Sequence, residues 1–193
     1  MENGCVPLIT LMEPVCWGRS NMRNYFIESK NIGFSIWKEG DLHLAESLWG
    51  NKDVTRYISA NGEFSEKEIK EKLDKEINNQ KEYGIQYWPI FLKDTNEFIG
   101  CCGLRPYQLE NQIYEIGFHL IPKFWGKGLA MEAAQIVINY GFSVLKANDL
   151  FAGHNPNNQN SSKILNRLGF YYTHDEFYSP TGLYHPSYRY KKN

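Results

Sequence analysis

The stretch Ile113–Leu145, reading IYEIGFHLIPKFWGKGLAMEAAQIVINYGFSVL, decides the fold. Residues Gln112 to Ile121 read as a strand that Pro122 ends, and Trp125-Gly126-Lys127-Gly128-Leu129-Ala130 as a glycine-punctuated turn. Ala130 to Leu145 reads as a helix whose narrow face carries Ala130, Ala133, Ala134, Val137, Gly141 and Val144, small enough to sit close to a sheet. A strand, a turn and a helix in that order present free backbone N–H groups at a helix start. Such an end binds anions, because the first-turn N–H groups lack intrahelical partners and the helix dipole adds partial positive charge.

Upstream, Tyr25 to Trp37 reads as a first strand, with Asp41 as N-cap of a helix carrying Leu42, Ala45, Leu48 and Trp49. Ser65-Glu66-Lys67-Glu68 matches a capping box; Ile69, Leu73 and Ile77 then form an apolar stripe, the remaining charges are read as the solvated face, and the helix closes near Gly84. Ile85 to Lys93 and Glu97 to Leu104 read as a hairpin across Lys93-Asp94-Thr95-Asn96. Downstream come a strand at Asp149 to Gly153, a polar turn at Asn155 to Asn160 and a short helix from Ser161 to Leu168 closed by Gly169. Phe170 to Tyr178 and Tyr184 to Lys191 read as closing strands. Residues 1–21 show no sustained period and read as an N-terminal extension, with residues 22–193 as one domain beginning at Met22.

The 193 residues suffice to bury a core without metal or disulfides, and 42% hydrophobic residues argue for a folded globule. A formal net charge of −1 gives no global field to recruit nucleic acid or an acidic membrane, so the expected partner is a small molecule or a local peptide. Cys101 and Cys102 are adjacent in a strand and point to opposite faces; together with Cys5 and Cys16 they read as reduced thiols. No metal-ligand spacing joins the histidines, and no signal peptide or spanning segment is seen, so cytoplasmic residence is expected.

Two nucleotide motifs are disfavoured at the glycine turn. A dinucleotide fingerprint needs a third glycine where Met131 stands, and a nucleotide P-loop needs Ser or Thr after Gly-Lys. The pattern Trp125-Gly126-Lys127-Gly128-x-Ala130, followed by Asn158-x-x-Ser161, Leu165 and Leu168-Gly169-Phe170, resembles instead the GNAT superfamily of acetyl-CoA-dependent N-acetyltransferases. Within it, the chain is similar to the branch of ribosomal-protein N-terminal acetyltransferases, as are Asp53-Val54-Thr55-Arg56-Tyr57 and Tyr114-Glu115-Ile116-Gly117. The likeness extends from Tyr25 to Tyr190. It implies an α/β (α+β) fold with a mixed sheet of about six or seven strands, two central parallel strands splayed apart, and about four flanking helices.

The resemblance implies acetyl-CoA as co-substrate, no metal, and direct attack of an amine on the thioester. Its pyrophosphate falls to Trp125, Gly126, Lys127, Gly128, Leu129 and Ala130, and its acyl end to Phe118, His119 and Leu120, whose backbone N–H groups are candidate oxyanion donors. Glu115 is the candidate base, against a purely structural carboxylate. Asn158 can hold the pantetheine arm or a water and Ser161 can donate to the thiolate, or each merely caps the short helix. The tyrosine acid common in the superfamily is not evident, Asn166 standing on the matching helix. His154 and His119 are further proton-relay candidates. The acceptor pocket is expected among Trp49, Tyr57, Phe177, Tyr178, Tyr184 and Tyr188. The expected acceptor is a protein or peptide N-terminus; alternatives are a small amine such as a polyamine, antibiotic or amino acid, or a non-catalytic acyl-CoA-binding module. Either a monomer or a homodimer is compatible.

Overall fold

The computed structural model describes residues 23–192, so the readings of the extension, of Met22 and of Cys5 and Cys16 lie outside the described residues. One mixed sheet runs through the molecule in the order β1-β2-β3-β4-β5-β6-β8-β7. Its strands are β1 (Ile27–Glu28), β2 (Ile32–Phe34), β3 (Tyr87–Leu92), β4 (Phe98–Gln108), β5 (Ile113–Leu120), β6 (Asp149–Gly153), β7 (Tyr171–Tyr178) and β8 (Leu183–Tyr190). Among the described residues five α-helices flank it: α1 (Leu42–Trp49), α2 (Lys52–Thr55), α3 (Glu66–Tyr83), α4 (Leu129–Ser143) and α5 (Gln159–Leu168). The architecture is the GNAT fold, with one strand and one helix more than the upper expectation.

Three local readings are corrected. The segment from Tyr25 to Trp37 is two short strands, because Ser29 turns the chain: its N–H and hydroxyl both reach the Ile32 carbonyl. Asp41 holds the N-cap position of α1 as read, but makes no side-chain cap there; its carboxylate pairs with Arg23 and accepts from the Lys38 N–H at 2.9 Å. The charges of α3 are not all solvated, since Glu76 has no exposed surface and is ion-paired to Arg105 of β4. The capping box stands: Glu68 donates its N–H to Ser65 Oγ and accepts from the Ser65 N–H.

The sheet separates two cores. One, under α4 and α5, gathers Cys102, Leu104, Ile116, Ala133, Ala134, Val137, Leu150 and Leu165. The other, under α1 and α3, gathers Trp37, Leu48, Trp49, Ile69, Leu73, Tyr87 and Cys101. Cys101 and Cys102 therefore sit in different cores, both free and buried, as strand alternation requires.

The central pair carries the one parallel ladder, and it is short. β5 and β6 meet at Ile113↔Asp149, Tyr114↔Leu150 and Glu115↔Phe151 only. Beyond Glu115, β5 continues against β4 as far as Leu120, while β6 continues against β8 as far as Gly153. The strands part, leaving a notch edged by backbone that no neighbouring strand completes.

Candidate active site

A cavity of about 730 Å³ opens at this notch and reaches both faces of the sheet. Glu115, Phe118, His119, Leu120, Trp125, Gly126, Gly128, Leu129, Ala130, Asn158, Ser161, Tyr57, Phe177 and Tyr178 all line it. Lys127, Trp49, Tyr184 and Tyr188 are not placed on its wall. Trp49 is fully buried beneath it, Tyr188 packs in the core under α5, and Tyr184 is 64% exposed on the outer hairpin.

The α4 end of the cavity follows from backbone geometry. Gly126 and Gly128 have φ of 73° and 78°, the left-handed region that costs an L side chain about 1 kcal/mol or more. Gly128 occupies the N-cap position with no side-chain cap, so the first-turn N–H groups are left for a ligand. The Trp125 indole N–H donates to the Leu120 carbonyl at 2.7 Å and pins the turn to the end of β5. The Ile121 N–H bonds Ile99 of β4, so strand alternation turns the backbone groups of Phe118 and Leu120 the other way, into the notch. Glu132, one turn into α4, accepts from the Ser29 hydroxyl at 2.7 Å and from both nitrogens of Asn31. Burial alone would raise that carboxyl, but the bonds from Asn31 and Ser29 hold it below its ordinary value.

On the opposite face the polar groups form a row. Glu115, Gly117 and His119 share a face of β5, and the Tyr87 ring lies over Gly117, where a Cβ would come within 2.3 Å of its hydroxyl oxygen. Tyr87 Oη donates to Glu115 Oε1 at 3.2 Å, and its ring meets the His119 ring edge-on at 5.9 Å. Burial, then the neighbouring Glu115 charge, push the Tyr87 phenol well above its usual range, so it remains a donor. Behind it, Glu76 accepts the Tyr87 N–H at 2.8 Å and pairs with Arg105, whose guanidinium lies 3.9 Å from the Tyr87 ring centroid.

His119 has its Nδ1 3.2 Å from the Trp49 indole N–H. An indole only donates, so Nδ1 accepts and the remaining proton sits on Nε2. Burial, then Lys72 and Arg105, hold the ring well below its ordinary value, leaving it neutral. It does not touch Glu115, because Tyr87 stands between them. His154 directly follows β6, stacks on Tyr188 at 5.4 Å and donates Nδ1–H to the Asn155 carbonyl at 2.8 Å. Its Nε2 is buried without a partner among the described residues.

Asn158 caps α5, its Oδ1 accepting the Ser161 N–H at 3.2 Å, while both residues also face the cavity. On the same helix Ser162, rather than Ser161, bonds the Tyr188 hydroxyl, at 3.0 Å. Sequence reasoning passed over Tyr87, Arg105 and Lys72, all on the cavity wall. Tyr87 sits in an apolar run and Lys72 in a charged helix, and neither context carries a signal of its own.

A sheet whose two central parallel strands part beside an uncapped helix start, with a carboxylate across the gap, defines an acyl-CoA-type transferase site. The acetyltransferase (GNAT) domain family matches residues 31–171, and the chain belongs to that family. It is an acetyl-CoA-dependent N-acetyltransferase. It is 34% identical over 130 residues to the uncharacterized N-acetyltransferase p20 of Bacillus licheniformis, covering 67% of this chain and 73% of that one. It is 28% identical over 130 residues to the spermidine N(1)-acetyltransferase of Escherichia coli (strain K12), covering 67% of each. Among solved structures, RimL, a ribosomal L7/L12 alpha-N-protein acetyltransferase in complex with coenzyme A, superposes with a TM-score of 0.71 at 17% identity, over 84% of this chain and 95% of that one.

Proposed function

We propose that this chain transfers the acetyl group of acetyl-CoA to the α-amine of a protein or peptide N-terminus, by direct attack and in the manner of the ribosomal-protein branch. The observation that carries the reading is the juxtaposition, in one cavity, of the parted β5–β6 edge, the uncapped start of α4 and the Glu115 carboxylate. The first-turn N–H groups of α4 receive the pyrophosphate, and the backbone of Phe118 and Leu120 engages the pantetheine arm and the developing oxyanion. The solved structure of the same fold in complex with coenzyme A supports acetyl-CoA as the co-substrate.

Glu115 takes the amine proton directly or through one water as the C–N bond forms and the C–S bond breaks. Tyr87 holds the carboxylate in place by its hydrogen bond. The departing thiolate is met by Ser161, at the start of α5, and acquires its proton there or from water. Asn158 keeps that helix end in register. Tyr57, Phe177 and Tyr178 form the apolar side of the acceptor pocket.

A small amine is the second reading, supported by the spermidine-named relative. Charge weighs against a polycation: the wall carries Arg56, Lys72, Arg105, Lys163 and Arg167 against Asp53, Glu115 and Glu176. A panel of N-terminal peptides, amino acids, spermidine and antibiotic amines, with free-thiol detection and calorimetry of acetyl-CoA, tests the proposal. Thiol release with a peptide supports it; acetyl-CoA binding with no thiol release from any acceptor leaves a binding module and refutes it.

A further inference from the structure

Lys72 lies one turn before the buried Glu76 on α3 and faces the cavity. Its ammonium sits 4.7 Å from the Phe64 ring centroid and 5.4 Å from that of Trp49, and among the described residues no carboxylate forms an ion pair with it. Glu76, one turn along, is committed to Arg105. Arg105 itself is left with a buried Nε that has no hydrogen-bond partner among the described residues. Lys72 thus faces the acceptor side of the sheet with its donors unspent, beside a guanidinium already turned to Glu76. A buried donor left unmet is costly, and buried cations are normally paired.

From this geometry we infer that the amine acceptor carries a carboxylate, received by Lys72 beside the amine that Glu115 faces. The inference rests on the acetyltransferase reading above and narrows its substrate. Burial, followed by Arg105, pushes the Lys72 ammonium down to about 8, the response of a cation missing its counter-ion. The carboxylate comes from one of two sources: an amino-acid-like small molecule, or an acidic side chain close to a peptide N-terminus.

The test compares kcat/KM for matched acceptors, in parent enzyme and in Lys72→Met, whose stem still covers the Trp49 and Phe64 rings. Free amino acids are set against their carboxamides, and peptides with Asp or Glu at the second position against Asn or Gln, with spermidine alongside. Hydrogen bonds to a charged group set the expected carboxylate preference at roughly 10- to 100-fold in the parent, falling to near unity in Lys72→Met and persisting in Lys72→Arg. Each ratio is internal to one preparation, so a partly folded variant does not distort it. Preference in the amino-acid arm assigns a small-molecule source, and in the peptide arm a protein source. Transfer without preference, a preference for spermidine, or a preference that survives Lys72→Met overturns the carboxylate subsite alone. Absence of transfer to every amine overturns the acetyltransferase reading with it.

Discussion

Tyr87 Oη donates to Glu115 Oε1 across 3.2 Å, and the contact exists because residue 117, between Glu115 and His119 on β5, is glycine. A residue of the α1/α3 core thereby reaches through to the notch and fixes the rotamer of the Glu115 carboxylate that lines the cavity from β5. The proposed base is held by a neutral donor, while the Arg105 guanidinium is turned toward Glu76.

Loss of that carboxylate is expected to be expensive. Glu115→Gln should lower kcat/KM by about 10²- to 10⁴-fold and flatten the acid side of the pH–rate profile, the range of a positioned general base. A profile identical to the parent's would remove Glu115 from the role. Tyr87→Phe should cost less, affecting kcat more than acetyl-CoA affinity.

At the anion end, Gly126→Ala and Gly128→Ala add a methyl that meets nothing within 4 Å, so any effect is backbone strain alone. We expect each to cost about 1–2 kcal/mol in stability and to weaken acetyl-CoA binding measured by calorimetry. Unchanged affinity in both would place the pyrophosphate elsewhere.

For α5, substitution separates capping from contact. Asn158→Ala should cost about 1 kcal/mol by chemical denaturation, and Asn158→Asp should restore it, since both residues cap well. If Asn158→Asp also binds and turns over acetyl-CoA like the parent, Asn158 is a cap and nothing more.

The Glu76–Arg105 pair has no exposed carboxylate surface. Arg105→Met strands that charge and should destabilise the fold by about 3–5 kcal/mol, whereas pairing it with Glu76→Leu should recover much of the loss. Additive losses in the double variant would show that the two side chains act independently.

Stability should also fall on acidification through the histidines. His119 is held well below 6.5 by burial, so between its folded value and 6.5 the unfolded chain binds the extra proton. Its contribution is fully present above about pH 6.5 and declines as pH falls, by up to about 1.4 kcal/mol per pH unit. His119→Gln keeps an acceptor for Trp49 and should reduce the slope of denaturation free energy against pH; an unchanged slope would assign the effect to His154 and His185, which burial also lowers.

How much of this was legible beforehand depends on the range of each determinant. The Ile113–Leu145 unit declares itself because proline, two glycines and a small-residue face act within a few residues of one another. The Ser65–Glu68 box is equally local. Lys72 and Glu76 are not: at helical spacing amid Lys70, Glu71, Asp74 and Lys75 they read as surface, and the partner that buries Glu76 is Arg105, 29 positions away. Trp49 misled for a related reason. A tryptophan near a pocket has the same identity whether it forms the wall or lies beneath it, and only His119, 70 positions on, decides that its N–H is already spent. Glu115, Asn158 and Ser161 are candidates because a motif names them, not because their surroundings could be derived; all three line the cavity.

The two-sided placement of Cys101 and Cys102 has a kinetic corollary. Burial, followed by the Glu76 charge, pushes the Cys101 thiol up to about 12, so the cysteine beside His119 supplies no thiolate at neutral pH. On the other face burial, followed by the Cys101 charge, pushes the Cys102 thiol well above its ordinary value. With both thiols held protonated, an acyl-enzyme through either is closed off, which accords with the proposed direct attack, in which both reactants are bound together before the acetyl group moves. Double-reciprocal plots should then intersect rather than run parallel, and the enzyme incubated with acetyl-CoA alone should keep its unmodified mass.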